Sequence, residues 1–369
     1  MLLLSDKKRI IVLIISLLFL SKMFSLQLGN GNNENQLSPI KIMDKAHQVS
    51  ASLDYTMVVK EDKTLWATGN NKYGQFGKSE YSETDSFVYI MEGVKYVETA
   101  TAYSLIIKDD STLWISGLYP CKITARDIIW EPTNGYLKID DNVIMVSAEG
   151  RTILYLKSDG SLWGLGDNDF GQLGLGNSVG IIKPKVLQKN VCDCYVEDCC
   201  SFFIDNKNDL YVTGSDTYFL DSNKKEIETN TFKKICSDIK SISTGLILKT
   251  NGDLYSYGYG CYGALGIGKE GSSKEPLIFI MHGVAATASS QEHSLIILKN
   301  GNLLSCGGGS HCNFGTIGDG TTKPSYSFVK IMENVKSASV GDYFSMVIKK
   351  DGSLWAFGIN NNQEDGLGL

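Results

Sequence analysis

One short pattern returns seven times along this chain and constrains its fold more than any other feature. Each copy has an apolar run, a polar turn, a Leu followed in all but one copy by an aromatic residue, and a Gly four residues after that Leu. The copies read DKTLWATG, DSTLWISG, DGSLWGLG, KNDLYVTG, NGDLYSYG, NGNLLSCG and DGSLWAFG, led by Leu65, Leu113, Leu162, Leu210, Leu254, Leu303 and Leu354. Successive leucines lie 48, 49, 48, 44, 49 and 51 residues apart. A period of about 40–50 residues with strand-like content marks a propeller, one four-stranded blade per repeat.

Each part of the pattern has a physical reading. Asp159-Gly160, Asn251-Gly252, Asn300-Gly301 and Asp351-Gly352 suit a tight hairpin with positive φ at both central positions. The runs SLIIK, SLIIL and SMVIK before those turns are nearly continuous apolar stretches, as in strands buried on both faces. After the turn, Trp66, Trp114, Trp163, Tyr211, Tyr255 and Trp355 read as rings that pack blade on blade, with Leu304 in the sixth copy. Gly69, Gly117, Gly166, Gly214, Gly258, Gly307 and Gly358 are repeat-structural positions. Upstream segments such as KIMDKAHQVSA and KIMENVKSASV supply the outer strand of one blade and the inner strand of the next. The pattern opens with such a segment at Pro39-Ile40, and one would be due again after the last copy. The two ends are therefore expected to pair and remove an open sheet edge.

The expected fold is all-β: a seven-bladed β-propeller of four-stranded antiparallel blades over residues 38–369, closed by pairing of the N- and C-terminal segments. An N-terminal hydrophobic signal or anchor helix precedes it. Lys7, Lys8 and Arg9 stand ahead of an apolar run from Ile10 to Leu20, the order of an export signal. Residues 1–28 are read as a signal peptide or signal anchor, with a misread core segment as the third alternative, and 29–37 as a polar linker. Basic residues on the N-terminal side put the body outside the cytoplasm, extracellular or membrane-anchored. With 43% apolar and 21% charged residues the chain can build a large core. A net charge of −6 without a basic face argues against nucleic acid as a partner.

The stretch GDNDFGQLGLGN after DGSLW, together with GNNKYGQFG and GYGCYGALGIG, resembles the signature of regulator of chromosome condensation repeats. The resemblance covers residues 38–369 and implies a seven-bladed propeller whose repeats are offset from its blades. Propellers of this family serve as platforms for nucleotide exchange on a small GTPase, chromatin docking, light sensing or, in exported bacterial forms, β-lactamase inhibition, so the fold alone does not fix the function. This chain departs from the pattern in its second and fourth copies, where GLYPCKITARD and GSDTYFLDSNKKE replace the Gly-Gln-Leu-Gly turn. The fifth is shortened before its hairpin, at STGLILK.

Several motifs invite chemistry and have plainer explanations. Residues 258–263 match G-x-G-x-x-G, but a nucleotide loop must follow a parallel strand and open a helix. Cys192, Cys194, Cys199 and Cys200 could form a soft-metal cluster, yet their spacing is not that of zinc sites and they fall on strand positions, where buried thiols or disulfides fit as well. Glu292-His293 could be an acid/base pair, though a histidine at this repeat position suits a structural hydrogen bond. The four histidines stand at 47, 282, 293 and 311, with no pair at ligand or triad spacing, so neither a catalytic set nor a cofactor is expected.

The leading functional expectation is a non-catalytic, monomeric recognition scaffold binding a protein or a wall or glycan partner on one propeller face. The alternatives are an inhibitor of a secreted enzyme, or an exchange-type regulator if the leader is not an export signal. Candidate contacts are Tyr119, Trp130, Tyr218 and Phe219 in the diverged second and fourth loops, since aromatics dominate hot spots. His311, in a longer loop of the sixth copy, joins them.

Overall fold

The computed structural model describes residues 26–360, apart from 79, 81, 125–126, 198, 221–225, 273–275 and 309–314; at 216–220, 226–227, 259–261 and 272 it describes the backbone only. Seven sheets carry four strands each around one ring, and a fifth, short strand joins the second of them. Blade 1 runs from its inner strand Ala46–Ala51 through Tyr55–Lys60 and Leu65–Asn70 to Glu83–Met91. Blades 2 to 6 repeat that order, with inner strands Val94–Ala100, Val143–Glu149, Val191–Val196, Ile239–Ser243 and Val284–Ser289. Blade 7 takes three strands, Val335–Val340, Phe344–Lys349 and Leu354–Gly358, from the end of the chain and its outer strand, Gln36–Met43, from the beginning. That strand pairs Gln36 with Gly358 and Met43 with Leu354, so the ring closes as the repeat count implied.

The core lies between blades. The seven leading leucines are all 0% exposed, and each apolar cluster joins residues of neighbouring sheets. The aromatic partners of those leucines are half-buried, with Trp114, Trp163, Tyr211 and Trp355 packed against the clusters between blades. Their exposed faces carry lysine ammonium groups: Lys60 over Trp66 at 5.2 Å, Lys108 over Trp114 at 4.4 Å, Lys157 over Trp163 at 4.5 Å and Lys349 over Trp355 at 5.2 Å.

In the four copies where Trp follows the Leu, the hairpin before that Leu contains a hydrogen-bond chain. Asp159 Oδ1 accepts from the Ser161 hydroxyl at 2.5 Å, and Ser161 Oγ accepts from the Trp163 indole N–H at 2.8 Å. The same chain runs through Asp62, Thr64 and Trp66, through Asp110, Thr112 and Trp114, and through Asp351, Ser353 and Trp355. The turn itself differs from the expected type. Gly160 N–H donates to Lys157 O, Lys157 N–H donates to Ser161 O, and only Gly160 has positive φ, at 78°. That is a type I turn followed by one left-handed residue, which explains how Lys63, Ser111 and Asn208 fill the position in other copies.

The closing Gly of the repeat is required by a close approach. At Gly166, φ is +112° and a Cβ would sit 2.1 Å from Arg151 O; at Gly358, φ is +108° and the distance to Tyr343 O is 2.4 Å. Blade 5 is the exception: its third strand, Leu254–Ser256, closes two residues early, with Leu246 opposite Ser256, because the preceding turn is shortened. Gly258, expected to be equivalent, lies beyond that pairing. The glycine-rich stretch after it forms a two-residue ladder and a single 3-10 turn, Cys261–Gly263, rather than the start of a long helix.

The expected boundaries at the N-terminus also change. Gln27 and Leu28, counted with the leader, are 0% exposed, and residues 29–37, expected as a linker, include the start of the ring-closing strand. The rest of the leader, residues 1–25, lies outside the described residues. Among the described residues no helix is long and apolar enough to cross a membrane.

Candidate functional site

Two faces of the ring follow from the strand order. Hairpins between second and third strands lie on one face; turns between first and second strands, and connections from third to fourth, lie on the other, the loop face. Blades 1 and 3 make the latter connection with a Gly-Gln-aliphatic or Gly-Gln-aromatic turn, held by Asn71 and Asn168. In blades 2 and 4, which lack that sequence, the third strand runs on: Leu113–Ile123 pairs with Ile128–Pro132, and Leu210–Leu220 pairs with Glu226–Cys236. Two β-ribbons thus flank blade 3 on the loop face.

The blade 2 ribbon leans on blade 3. Ile128 is 6% exposed, in the space beside Gly180, and Trp130 stacks on Tyr103 with ring centres 5.6 Å apart. Its indole N–H donates to Asp167 Oδ1 at 3.2 Å. Burial raises the Asp167 carboxyl to about 6, against the pull of Trp130 and of Arg151 at 3.9 Å. Trp130 is therefore committed to the junction between blades 2 and 3, and Tyr119 is half-buried against the same core. The ribbon's exposed apolar residues are instead Ile123 and Ile129, with Val179 exposed nearby in chain order on the blade 3 connection beside Gly180. Tyr218 and Phe219 fall on the strand Leu210–Leu220, with their side chains outside the described set, and His311 lies outside the described residues.

Nearer the axis the loop face is acidic. Turns 290–292, 341–343 and 52–54 of three successive blades carry Glu292, Asp342 and Asp54. Burial, with Asp342 adding repulsion, raises Glu292 to about 7, and burial likewise takes Asp54 to about 7 against the lowering effect of its 2.8 Å hydrogen bond from Asn70. Beside them His293 is fully buried, its Nε2 2.7 Å from Ser345 Oγ, and burial lowers it to about 4, so the ring is neutral at ordinary pH and bridges two blades. It is not placed to act as a base paired with Glu292.

The inner strands add polar groups that sequence reasoning did not single out. Glu98 accepts from Tyr96 OH at 2.9 Å, and burial raises it to about 7; Asp193 is raised by burial to about 6. The signal was present in the sequence: VKYVETA and VCDCYV carry large polar side chains where VAATAS and VKSASV have small ones. Free edges of the inner strands are satisfied from the neighbouring blade. Gln48 both accepts from Val97 N–H at 3.1 Å and donates to Val97 O at 2.9 Å, while Ser147 Oγ accepts from Val196 N–H and Ser339 Oγ from Ala51 N–H.

The four clustered cysteines do not come together. Cys192 lies at one end of the strand Val191–Val196, near the Val191–Asp205 pair, and Cys200 at the other end of the ladder, opposite Gly214. At about 3.3 Å of rise per residue these ends are roughly 15 Å apart. Cys192 and Cys194 are free thiols, and among the described residues no group of three or more His, Cys, Asp or Glu is arranged to hold a metal ion.

Comparison with known proteins agrees with this architecture. The regulator of chromosome condensation (RCC1) repeat pattern matches residues 46–75 and 335–364, in the two blades that meet at the ring closure. The E3 ubiquitin-protein ligase HERC2 of Homo sapiens is 25% identical over 240 residues, 62% of this chain but 4% of that much longer protein. Among solved structures, human WBSCR16 overlays with a TM-score of 0.72 at 18% identity, covering 88% of this chain and 90% of its own. Prp20p of Saccharomyces cerevisiae, studied for its binding to Gsp1p and histones, overlays with a TM-score of 0.68 at 16% identity, covering 93% and 94%. The motifs, the blade count and the ring closure agree: this chain is a seven-bladed β-propeller that carries regulator of chromosome condensation repeats at residues 46–75 and 335–364.

Proposed function

We propose that the propeller is a non-catalytic recognition scaffold that works outside the cytoplasm and engages a protein or glycan partner through its loop face. The observation that carries this reading is the difference between the faces: one is a repeated hairpin framework, while the other displays two ribbons with exposed Ile123 and Ile129 and an acidic inner rim. Rigid scaffolds with varied loops on one side place recognition on those loops. Carboxylates such as Glu292 and Asp342 suit basic side chains or sugar hydroxyls. Export rests on the basic-then-apolar order of residues 7–20.

The test is capture of partners by the full chain displayed in its native compartment, compared with Ile123→Asp/Ile129→Asp on the loop face and Lys299→Glu on the hairpin face. Loss of capture in the first and retention in the second is the expected result; the reverse would move the site to the other face. Separating cytoplasmic from exported fractions tests the compartment independently. An inhibitor of a secreted enzyme would use the same face. Prp20p, at 16% identity, shares the fold, so an exchange-type role has only that likeness behind it.

A further inference from the structure

We infer that residues 26–32, Leu-Gln-Leu-Gly-Asn-Gly-Asn, are the missing Gly-Gln-Leu-Gly turn of the seventh repeat, carried at the opposite end of the chain and latched into blade 7 by Asn360. The correspondence is bond for bond. In blade 3, Asn168 Oδ1 accepts from Leu173 N–H at 2.8 Å and its Nδ2 donates to Asn177 O at 2.9 Å. In blade 7, Asn360 Oδ1 accepts from Leu28 N–H at 3.0 Å and its Nδ2 donates to Asn32 O at 2.7 Å. Both asparagines stand two residues after the closing Gly of their repeat.

The remaining contacts agree. Gly174 N–H donates to Gly171 O at 2.9 Å, and Gly29 N–H to Leu26 O at 3.3 Å; Gly176 N–H donates to Asn230 O at 2.8 Å, and Gly31 N–H to Asp85 O at 2.9 Å. Gly174 and Gly29 have φ of +65° and +66°, and at each a Cβ would meet the edge of a phenylalanine ring, Phe232 or Phe87. Ser104 Oγ donates to Gln75 O in the blade 1 turn, and Thr56 Oγ1 donates to Gln27 O here, at 2.5 and 2.8 Å. Leu26 takes the left-handed conformation, φ 69°, that Gly171 holds at 79°. An L-residue there has a conformational cost that the surrounding contacts must offset. Residues 26–32 are thus part of the propeller, not a tether to it.

The chain also holds a second sequence of this kind. Gly366 and Gly368 lie six and eight residues after Asn360, as Gly174 and Gly176 lie after Asn168. Among the described residues the slot is occupied by the N-terminal sequence. Any maturation of the leader must then cut ahead of Leu26, because a cut after Asn32 removes the turn and frees the seam between blades 7 and 1.

Amide hydrogen exchange on the full chain tests this. The amides of Leu28, Gly29 and Gly31 are expected to exchange at least ~100-fold more slowly than in a free peptide. Asn360→Ala should raise exchange across 26–43 and 344–359 together, while Asn168→Ala should act within blade 3. Removal of residues 364–369 should change neither. Peptide-like exchange at 26–32 in the unaltered protein, or opening of the seam on removal of 364–369, would overturn the assignment and give the slot to the C-terminal sequence. Since the first measurement is made on the unaltered protein, a variant that fails to fold does not leave the question open.

Discussion

On the hairpin face, four blades build the same Asp, Ser or Thr, Trp hydrogen-bond chain, and the left-handed position of the turn is filled by Gly, Lys, Ser or Asn as the copy allows. On the loop face, the close approach at the repeat Gly admits no such exchange, yet the connection that starts there is an asparagine-held turn in blade 3 and a long ribbon in blades 2 and 4. Tolerance and constraint are thus divided differently on each face. The hairpin fixes hydrogen bonds and leaves the residue free; the loop face fixes one residue at its root and leaves the rest of the chain free.

Two glycines of blade 3 can break that comparison. Gly166→Ala puts a Cβ 2.1 Å from Arg151 O at φ +112°, and no side-chain movement relieves a clash with backbone. Gly160→Ala meets nothing nearer than 3.7 Å and pays only for its φ of +78°. The expected losses are about 3 kcal/mol or more for the first and about 1 kcal/mol for the second, read by denaturant titration. Equal losses would mean that the two glycines are there for the same reason.

The acidic inner rim predicts an unusual pH dependence. Asp54, Glu98 and Glu292 are raised to about 7, so the folded state keeps protons that the unfolded chain has already released near pH 4. Their penalty is absent below the unfolded values, grows as pH rises toward 7 and is complete above it. The melting temperature should therefore be higher at about pH 5.5 than at pH 8, by an amount of order 1–3 kcal/mol in stability, and Glu98→Gln should shrink the difference. On the hairpin face the sign is opposite. Asp62, Asp110, Asp159 and Asp351 are held below the usual carboxylate range by side-chain bonds from Thr or Ser, and lose that stabilisation as pH falls through their lowered values. Stability that rose steadily from pH 4 to 8 would show that the buried carboxylates do not control the profile.

A smaller effect sharpens the account of the hairpin. Ser161 links Asp159 to Trp163, and a double-mutant cycle of Ser161→Ala with Trp163→Phe should give a coupling of about 1 kcal/mol. The sequence itself points the same way: a hydroxyl precedes the Leu wherever Trp follows it, and Asp209 or Asp253 precedes it where Tyr does. Additive losses would reduce the chain of bonds to two independent contacts.

The blade count, the ring closure and the repeat glycines other than Gly258 were legible because each follows from the period of the repeat. The hairpin type was misread, since Asp-Gly suits two turn classes and only the non-Gly copies Lys63 and Ser111 discriminate between them. The turn at Gln27 was missed for a different reason: it is separated from Asn360 by more than three hundred residues, and beside an apolar leader it reads as a linker. At the loop face, the aromatic content of the diverged loop at 117–130 drew attention to Tyr119 and Trp130, but a large ring at a blade junction gains more from burial than from exposure. Composition could not distinguish Trp130, which faces Tyr103 and Asp167, from Ile129 beside it, which faces solvent.

That neighbouring pair supplies the most specific test. Trp130→Ala removes a stacked ring and an indole hydrogen bond and should cost about 2 kcal/mol. Ile129→Ser alters a side chain that is 38% exposed, and Ile123→Ser one that is 47% exposed, so each should stay within about 0.5 kcal/mol of the parent. If the ribbon serves recognition, the ranking must invert when partner capture is measured in place of stability: Ile123 and Ile129 then matter at their own surface, and Trp130 matters only as far as it keeps the ribbon against blade 3. A Trp130 variant with the ribbon still protected from exchange but with binding lost would place the tryptophan itself in the contact, and the division between root and tip of the ribbon would fail.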